Sequence, residues 1–137
     1  FMPPALAPAF TRACPSPALR PEAGPEALNM GAWQGMALKD LPPADLARWV
    51  SDPDFAPPGG QGRAAHLAYM QAWLAALPPA PARLCLLADT VVIRAIVVAA
   101  LGGTGAMLSR LDIAPLSHTR LTRHMGWRVA VTGAPLA

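Results

Sequence analysis

The stretch RLCLLADTVVIRAIVVAALGG, residues 83–103, decides how the chain is read. Its first half, residues 84–88, is an unbroken apolar run, the pattern of a strand covered on both faces in a parallel sheet. Its second half, residues 92–101, continues as an apolar helix that Gly102 and Gly103 close. Between them stands one charge, Asp89. In open α/β sheets, ligands bind beyond the carboxyl ends of strands, at strand-to-helix turns. Asp89, Thr90 and the amides that open the helix therefore occupy the place where a site is expected. A helix N-terminus favours an anion, and Asp89 repels one, so this turn is an odd choice for an intact phosphate site.

The 137 residues suffice for one domain, expected over 1–137, with residues 1–29 irregular and proline-rich. Hydrophobic residues make up 53% and charged ones 14%, which favours a packed globule over disorder. The 17 prolines and 11 glycines gather before Gly31, around residues 57–60 and around residues 78–81, and punctuate the elements. The net charge of +3 is spread over scattered arginines with no aromatic-rich basic strip, so no nucleic-acid partner is expected. Cys14 and Cys85 are the two cysteines, the second inside an apolar run, which points to a reduced cytoplasmic chain. No secretion signal is visible. Residues 84–101 approach membrane-spanning length, but Asp89 and Arg94 each cost roughly 2.5–3.5 kcal/mol at a bilayer centre, so no membrane span is expected.

Outward from the central stretch, Leu67, Met70, Leu74 and Leu77 mark an amphipathic helix over 63–77, stopped by Pro78 and Pro79. Earlier, Pro42 and Pro43 suit a helix's first turn with Asp40 as its cap, and Leu46, Trp49 and Val50 supply one apolar face. A short strand is predicted at residues 10–14. Residues 52–62 read as a loop. SHTRLTRHMGWRVAVTG, residues 117–133, alternates as two strands turning at 124–126. Strands alternating with helices indicate a three-layer α/β domain.

Five segments together resemble the histidine phosphatase superfamily, the phosphoglycerate mutase-like proteins. LCLLADTVVIRAIVVAALG (84–102) resembles that family's apolar strand, His-Gly-Gly-x-x-Arg and helix. SPALR (16–20) resembles its Ser-Pro-x-x-Arg turn, and MGAWQG (30–35) its aromatic-Gly-x-Trp-x-Gly segment. DPDFAPPGGQG (52–62) resembles its Asp-Pro…Pro-Gly-Gly-Glu-Ser loop, and LSHTRL…WRVAVTG its closing hairpin. The order and spacing agree over roughly residues 7–135. The branch most similar by these motifs is that of the alpha-ribazole phosphatases and small broad-specificity phosphatases, which carries an expectation of small phosphoester substrates and a link to cobalamin metabolism.

The resemblance also implies losses. The family's opening strand with Arg-His-Gly is not in this sequence, so the expected fold is a reduced phosphoglycerate mutase-like domain lacking that strand. Asp89 stands where the second catalytic histidine belongs, and Thr90 and Val91 replace the two glycines after it. The general-acid glutamate falls at Ala27, beside Glu26. The loop glutamate is Gln61. Arg20 alone survives from the phosphate pocket. Phosphohistidine chemistry needs an imidazole nucleophile and cationic groups around the phosphoryl oxygens. Replacing a positive partner by Asp89 removes several kcal/mol of transition-state stabilisation, as an order of magnitude. A pseudophosphatase that binds a protein partner or an anionic small molecule is therefore expected, with Arg20, Asp89, Thr90 and Gln61 as ligand contacts. The alternative is an altered phosphatase with Arg20, Glu26 and Asp89 as its polar groups.

Plainer roles stand beside these. Asp89 suits a helix cap. Arg20 also suits a solvated turn, and Gly59 and Gly60 a simple turn after two prolines. His66 is assigned to packing or solvent. His118 and His124 have no cysteine or carboxylate at ligand spacing, so neither a metal nor a cofactor is expected. A sheet without its first strand exposes edges, which a rearranged sheet, a second copy or an upstream segment would cover. A homodimer is the expected remedy.

Overall fold

The computed structural model describes residues 24–78 and 84–135. Among them lie three α-helices, α1 (Pro43–Ser51), α2 (Arg63–Ala76) and α3 (Thr90–Ala100), then a hairpin of β1 (Ser117–Arg123) and β2 (Trp127–Pro135). Short 3-10 turns occupy Gly31–Trp33, Leu38–Asp40 and Gly105–Ser109. The short strand expected at residues 10–14 and the turn carrying Arg20 lie outside the described residues.

The core is the seam between α2 and α3. Leu67, Met70 and Leu74 of α2 meet Val92, Ala95, Ile96 and Val98 of α3, and Leu108 closes one side. The i, i+3, i+7 spacing on α2 puts its three apolar side chains on one stripe, and that stripe supplies most of the helix's stability. α3 is apolar nearly all round because the hairpin also packs on it: Leu121 and Trp127 lie against the same core. Its end is a Schellman turn. The Gly103 amide donates to the Val98 carbonyl at 2.9 Å and the Gly102 amide to Ala99 at 3.0 Å. Gly102 adopts φ +67°, a left-handed conformation that glycine reaches without steric cost.

Four expectations are corrected. Residues 84–88 enter no strand ladder among the described residues, and Leu84 and Leu87 are 50% and 39% exposed, so the run is not covered on both faces. Apolar content alone does not form a strand; a neighbouring backbone must pair with it. The described sheet is correspondingly antiparallel and two-stranded rather than parallel, because β1 and β2 are joined by a tight local turn at 124–126. Asp40 does not cap α1: it ends the 3-10 turn Leu38–Asp40, and Pro42 holds the N-cap with no side-chain cap bond. Val50 is 61% exposed, so the buried side of α1 is carried by Leu46 and Trp49, three residues apart.

α1 is held by its end. Arg63, the first residue of α2, donates through Nη2 to the carbonyls of Trp49 and Val50 and lies 5.3 Å over the Trp49 ring. A cation at a helix C-terminus satisfies carbonyls that lack intrahelical partners and complements the helix dipole. Burial, with Arg94 nearby, lowers the Arg63 guanidinium below its ordinary value; the Asp52 carboxylate opposes this. Trp49 meets Trp33 edge-on at 5.8 Å, and Trp33 meets Phe55 at 5.9 Å. These rings fasten α1 and the 52–62 loop to the MGAWQG segment.

Candidate functional site

α3 starts where it does because Asp89 caps it. With φ −71° and ψ 167°, Asp89 lies outside the helix, and its Oδ1 accepts the Val92 amide hydrogen at 2.8 Å. That bond satisfies one of the amides a helix N-terminus leaves open. The helix consequently begins at Thr90, two residues before the apolar periodicity sets in. The carboxylate offsets the positive end of the helix dipole at the place where an anion would approach.

Beside this turn stands α2, whose first turns carry His66 and Tyr69. Their rings lie 6.3 Å apart. His66 is buried, and its surroundings lower its pKa below the ordinary histidine value. Loss of solvation is the main cause, and the nearby Asp89 carboxylate partly opposes it. On the far side of Tyr69, the Oη accepts the backbone N–H of Glu26 at 3.1 Å. The Glu26 backbone is thus bonded to Tyr69, whose ring neighbours His66, and Asp89 reaches His66 through its charge; the Glu26 side chain itself is exposed.

The loop bearing Gln61 is zipped to the segment after Glu26. The Gln61 amide donates to the Asn29 carbonyl at 2.8 Å, and the Ala32 amide to the Pro58 carbonyl at 2.9 Å. Asn29 Oδ1 accepts from the Gly31 amide at 2.9 Å while its Nδ2 reaches the Gly59 carbonyl at 3.4 Å. Gly31, at φ +50°, and Gly60 pass so closely that a Cβ at Gly31 would collide with the Pro58 carbonyl and the Gly60 amide. Gly60 therefore serves backbone-to-backbone packing, whereas Gly59, at φ +69° with open space around it, serves the turn.

Of the residues singled out in the sequence, Asp89 and Thr90 stand together at the α3 terminus, Gln61 is half-buried in the zipped loop, and Glu26 joins through its backbone. Arg20 lies outside the described residues. Sequence reasoning missed Tyr69 and Asn29 and assigned His66 no role at the site. The signal for His66 was its place four residues before Met70, on the apolar stripe of α2. Among the described residues, no group of three His, Cys, Asp or Glu side chains is arranged to hold a metal ion. No helix among them is long and apolar enough to cross a membrane.

The model of the histidine phosphatase superfamily, branch 1, matches residues 19–133. The chain belongs to the histidine phosphatase superfamily. The chain is similar to mycobacterial glucosyl-3-phosphoglycerate phosphatase. The complex of that enzyme with inorganic phosphate aligns with a TM-score of 0.64 at 29% identity, covering 81% of this chain and 62% of the other. Its native form aligns at 0.64 and 27% identity, covering 80% and 62%, and its VO3 complex at 0.59 and 28%, covering 77% and 59%. The chain thus spans about six-tenths of the length of these structures. No curated protein matches it significantly. The reduced phosphoglycerate mutase-like fold expected from the motifs is the fold observed: mixed helices with a small sheet.

Proposed function

We propose that this chain is a non-catalytic member of its superfamily, a pseudophosphatase that binds a protein partner or an anionic small molecule. One observation carries the proposal. At the position where the motif resemblance puts a catalytic histidine, Asp89 spends its carboxylate on capping α3. The imidazole on which the Asp89 charge acts, that of His66, is buried, so it is closed to an incoming phosphoester. A carboxylate at this position repels the phosphoryl group that an imidazole would receive or protonate. Arg20, Thr90 and Gln61 remain as contacts for an anion. The protein is taken to act as one domain over 1–137, as a cytoplasmic homodimer; a monodisperse monomer at micromolar concentration sinks the dimer.

The test is hydrolysis of p-nitrophenyl phosphate by the purified protein beside Arg20→Ala and Asp89→Asn. No turnover above the two variants is the expected outcome. Turnover that either substitution abolishes overturns the reading and establishes the second one, a phosphatase acting on a small phosphoester with Arg20, Glu26 and Asp89 as its polar groups. The likeness to phosphatases solved with inorganic phosphate and with VO3 favours that second reading. Its narrower form, an alpha-ribazole phosphatase-like role in cobalamin metabolism, rests on the motif likeness alone.

A further inference from the structure

On α2, His66, Met70 and Leu74 succeed one another four residues apart and share one face. Met70 and Leu74 fill the seam with α3, and His66 stands at the N-terminal end of the same stripe, 2% exposed. It is the one buried polar or charged side chain among the described residues. Its Nε2 is sealed from solvent and has no hydrogen-bond partner among the described residues. A neutral imidazole tolerates that arrangement by leaving one nitrogen unprotonated. An imidazolium does not, because both nitrogens then carry hydrogens and the charge has lost its water.

We propose that His66 is a proton-operated release for the packing of α2 against α3, closed while the ring is neutral and opened when it takes up a proton. Among the described residues, the charged and titratable groups around it are few. At the N-cap of α3, Asp89 acts on the ring, whereas Arg94 within that helix is turned to Asp112, at 3.3 Å, and acts on Arg63. From α2 itself comes Tyr69, whose Oη is engaged by the Glu26 amide. The 3-10 turn Gly105–Ser109, which also packs on α2, has no titratable side chain. Burial outweighs the help from Asp89, so the ring binds its proton less readily in the folded chain than at its ordinary value of 6.5. Between the folded and unfolded values, the unfolded chain holds more protons, and stability therefore falls as pH drops below about 6.5. In that window each unit by which the pH falls raises the unfolding constant up to about tenfold. The part of the seam that loosens is the end that carries Asp89 and Thr90.

The experiment is urea unfolding of the full chain at pH 7.5, 6.5, 5.5 and 4.5, for wild type, His66→Leu and Asp89→Asn. The wild-type unfolding constant is expected to climb below pH 6.5 and that of His66→Leu to stay level over the same range. In Asp89→Asn the climb continues to lower pH, because the charge that assists protonation is gone. His118 and His124, on exposed positions of the hairpin, are common to all three proteins. Should His66→Leu fail to fold, an NMR titration of the wild-type imidazoles decides the matter: the His66 resonance is expected to titrate below 6.5. Equal slopes in wild type and His66→Leu, or a His66 resonance titrating at or above 6.5, overturn the proposal.

Discussion

Replacing Asp89 by alanine and by asparagine separates the two things its carboxylate does for α3. The Oδ1 bond to the Val92 amide, 2.8 Å long, is a capping bond of the kind whose loss to alanine costs about 1 kcal/mol. The negative charge at the helix's positive end contributes a further 0.3 kcal/mol or so; the low end of the range applies because Asp89 is exposed and screened. Alanine removes both terms and asparagine only the second, since its amide oxygen still accepts from Val92. For a chain of this size 1 kcal/mol moves the melting midpoint by about 3–5 °C. Differential scanning calorimetry at neutral pH and low salt should therefore order the proteins as wild type, then Asn lower by about 1–2 °C, then Ala lower by about 4–7 °C. Raising the salt should close the gap between wild type and Asn while leaving the Ala gap mostly open, because a hydrogen bond is screened less than a charge. An alanine variant that melts at or above wild type refutes the reasoning. Such a result means the carboxylate is held at a cost to stability, which is what an active site does and a cap does not.

Two further substitutions probe the frame around the site. Met70→Ala empties the centre of the α2–α3 seam, where Met70 is fully buried, and should cost about 2–5 kcal/mol in denaturant unfolding; a loss below about 1 kcal/mol would place the core elsewhere. Arg63→Ala strips the cap from the C-terminus of α1 and uncovers the Trp49 ring, so about 1–2 kcal/mol of stability should go, with a red shift of tryptophan emission as Trp49 gains solvent. Arg63→Lys should recover only part of it, since a single ammonium does not stack on Trp49 as a planar guanidinium does.

The parts of the fold that the sequence made legible are those decided within about fifteen residues. Leu67, Met70 and Leu74 announce α2 by spacing alone, Gly102 and Gly103 announce the end of α3, and the alternation around 124–126 announces the hairpin, whose strands find each other through their own turn. For residues 84–88 the local signal stops at composition, because strand pairing is not a local property. An apolar run says that burial is favourable, and the pairing that achieves it belongs to some other part of a chain. Asp40 was misjudged for a local reason: two prolines in succession shifted the helix start to Pro43 and left Asp40 in a separate 3-10 turn. At the site, the Asp89 cap was legible because an acidic residue before an apolar helix has a known geometric use. Tyr69 and Asn29 were not, since a tyrosine on a helix and an asparagine in a loop carry no spacing that names their partners. His66 was half legible. Its register on the apolar stripe was visible, but only the packed structure reveals that its Nε2 is left with nothing to bond.

The close pass of Gly31 and Gly60 has a consequence for how this chain tolerates change. Each glycine is small because the other's backbone occupies the space a methyl group would take: a Cβ at Gly60 would sit 2.8 Å from the Asn29 carbonyl oxygen, and one at Gly31 would strike the backbone of residues 58–60. Backbone atoms cannot be trimmed by a second mutation, so no compensating substitution in one loop rescues an enlarged residue in the other. In a saturation library the two positions should appear as a matched pair of intolerant sites, while Gly35 and Gly59, where an added Cβ meets open space, resist change only through their left-handed backbone and accept asparagine. The two loops are consequently fixed to each other at these positions, and each must keep its glycine whatever the other loop carries.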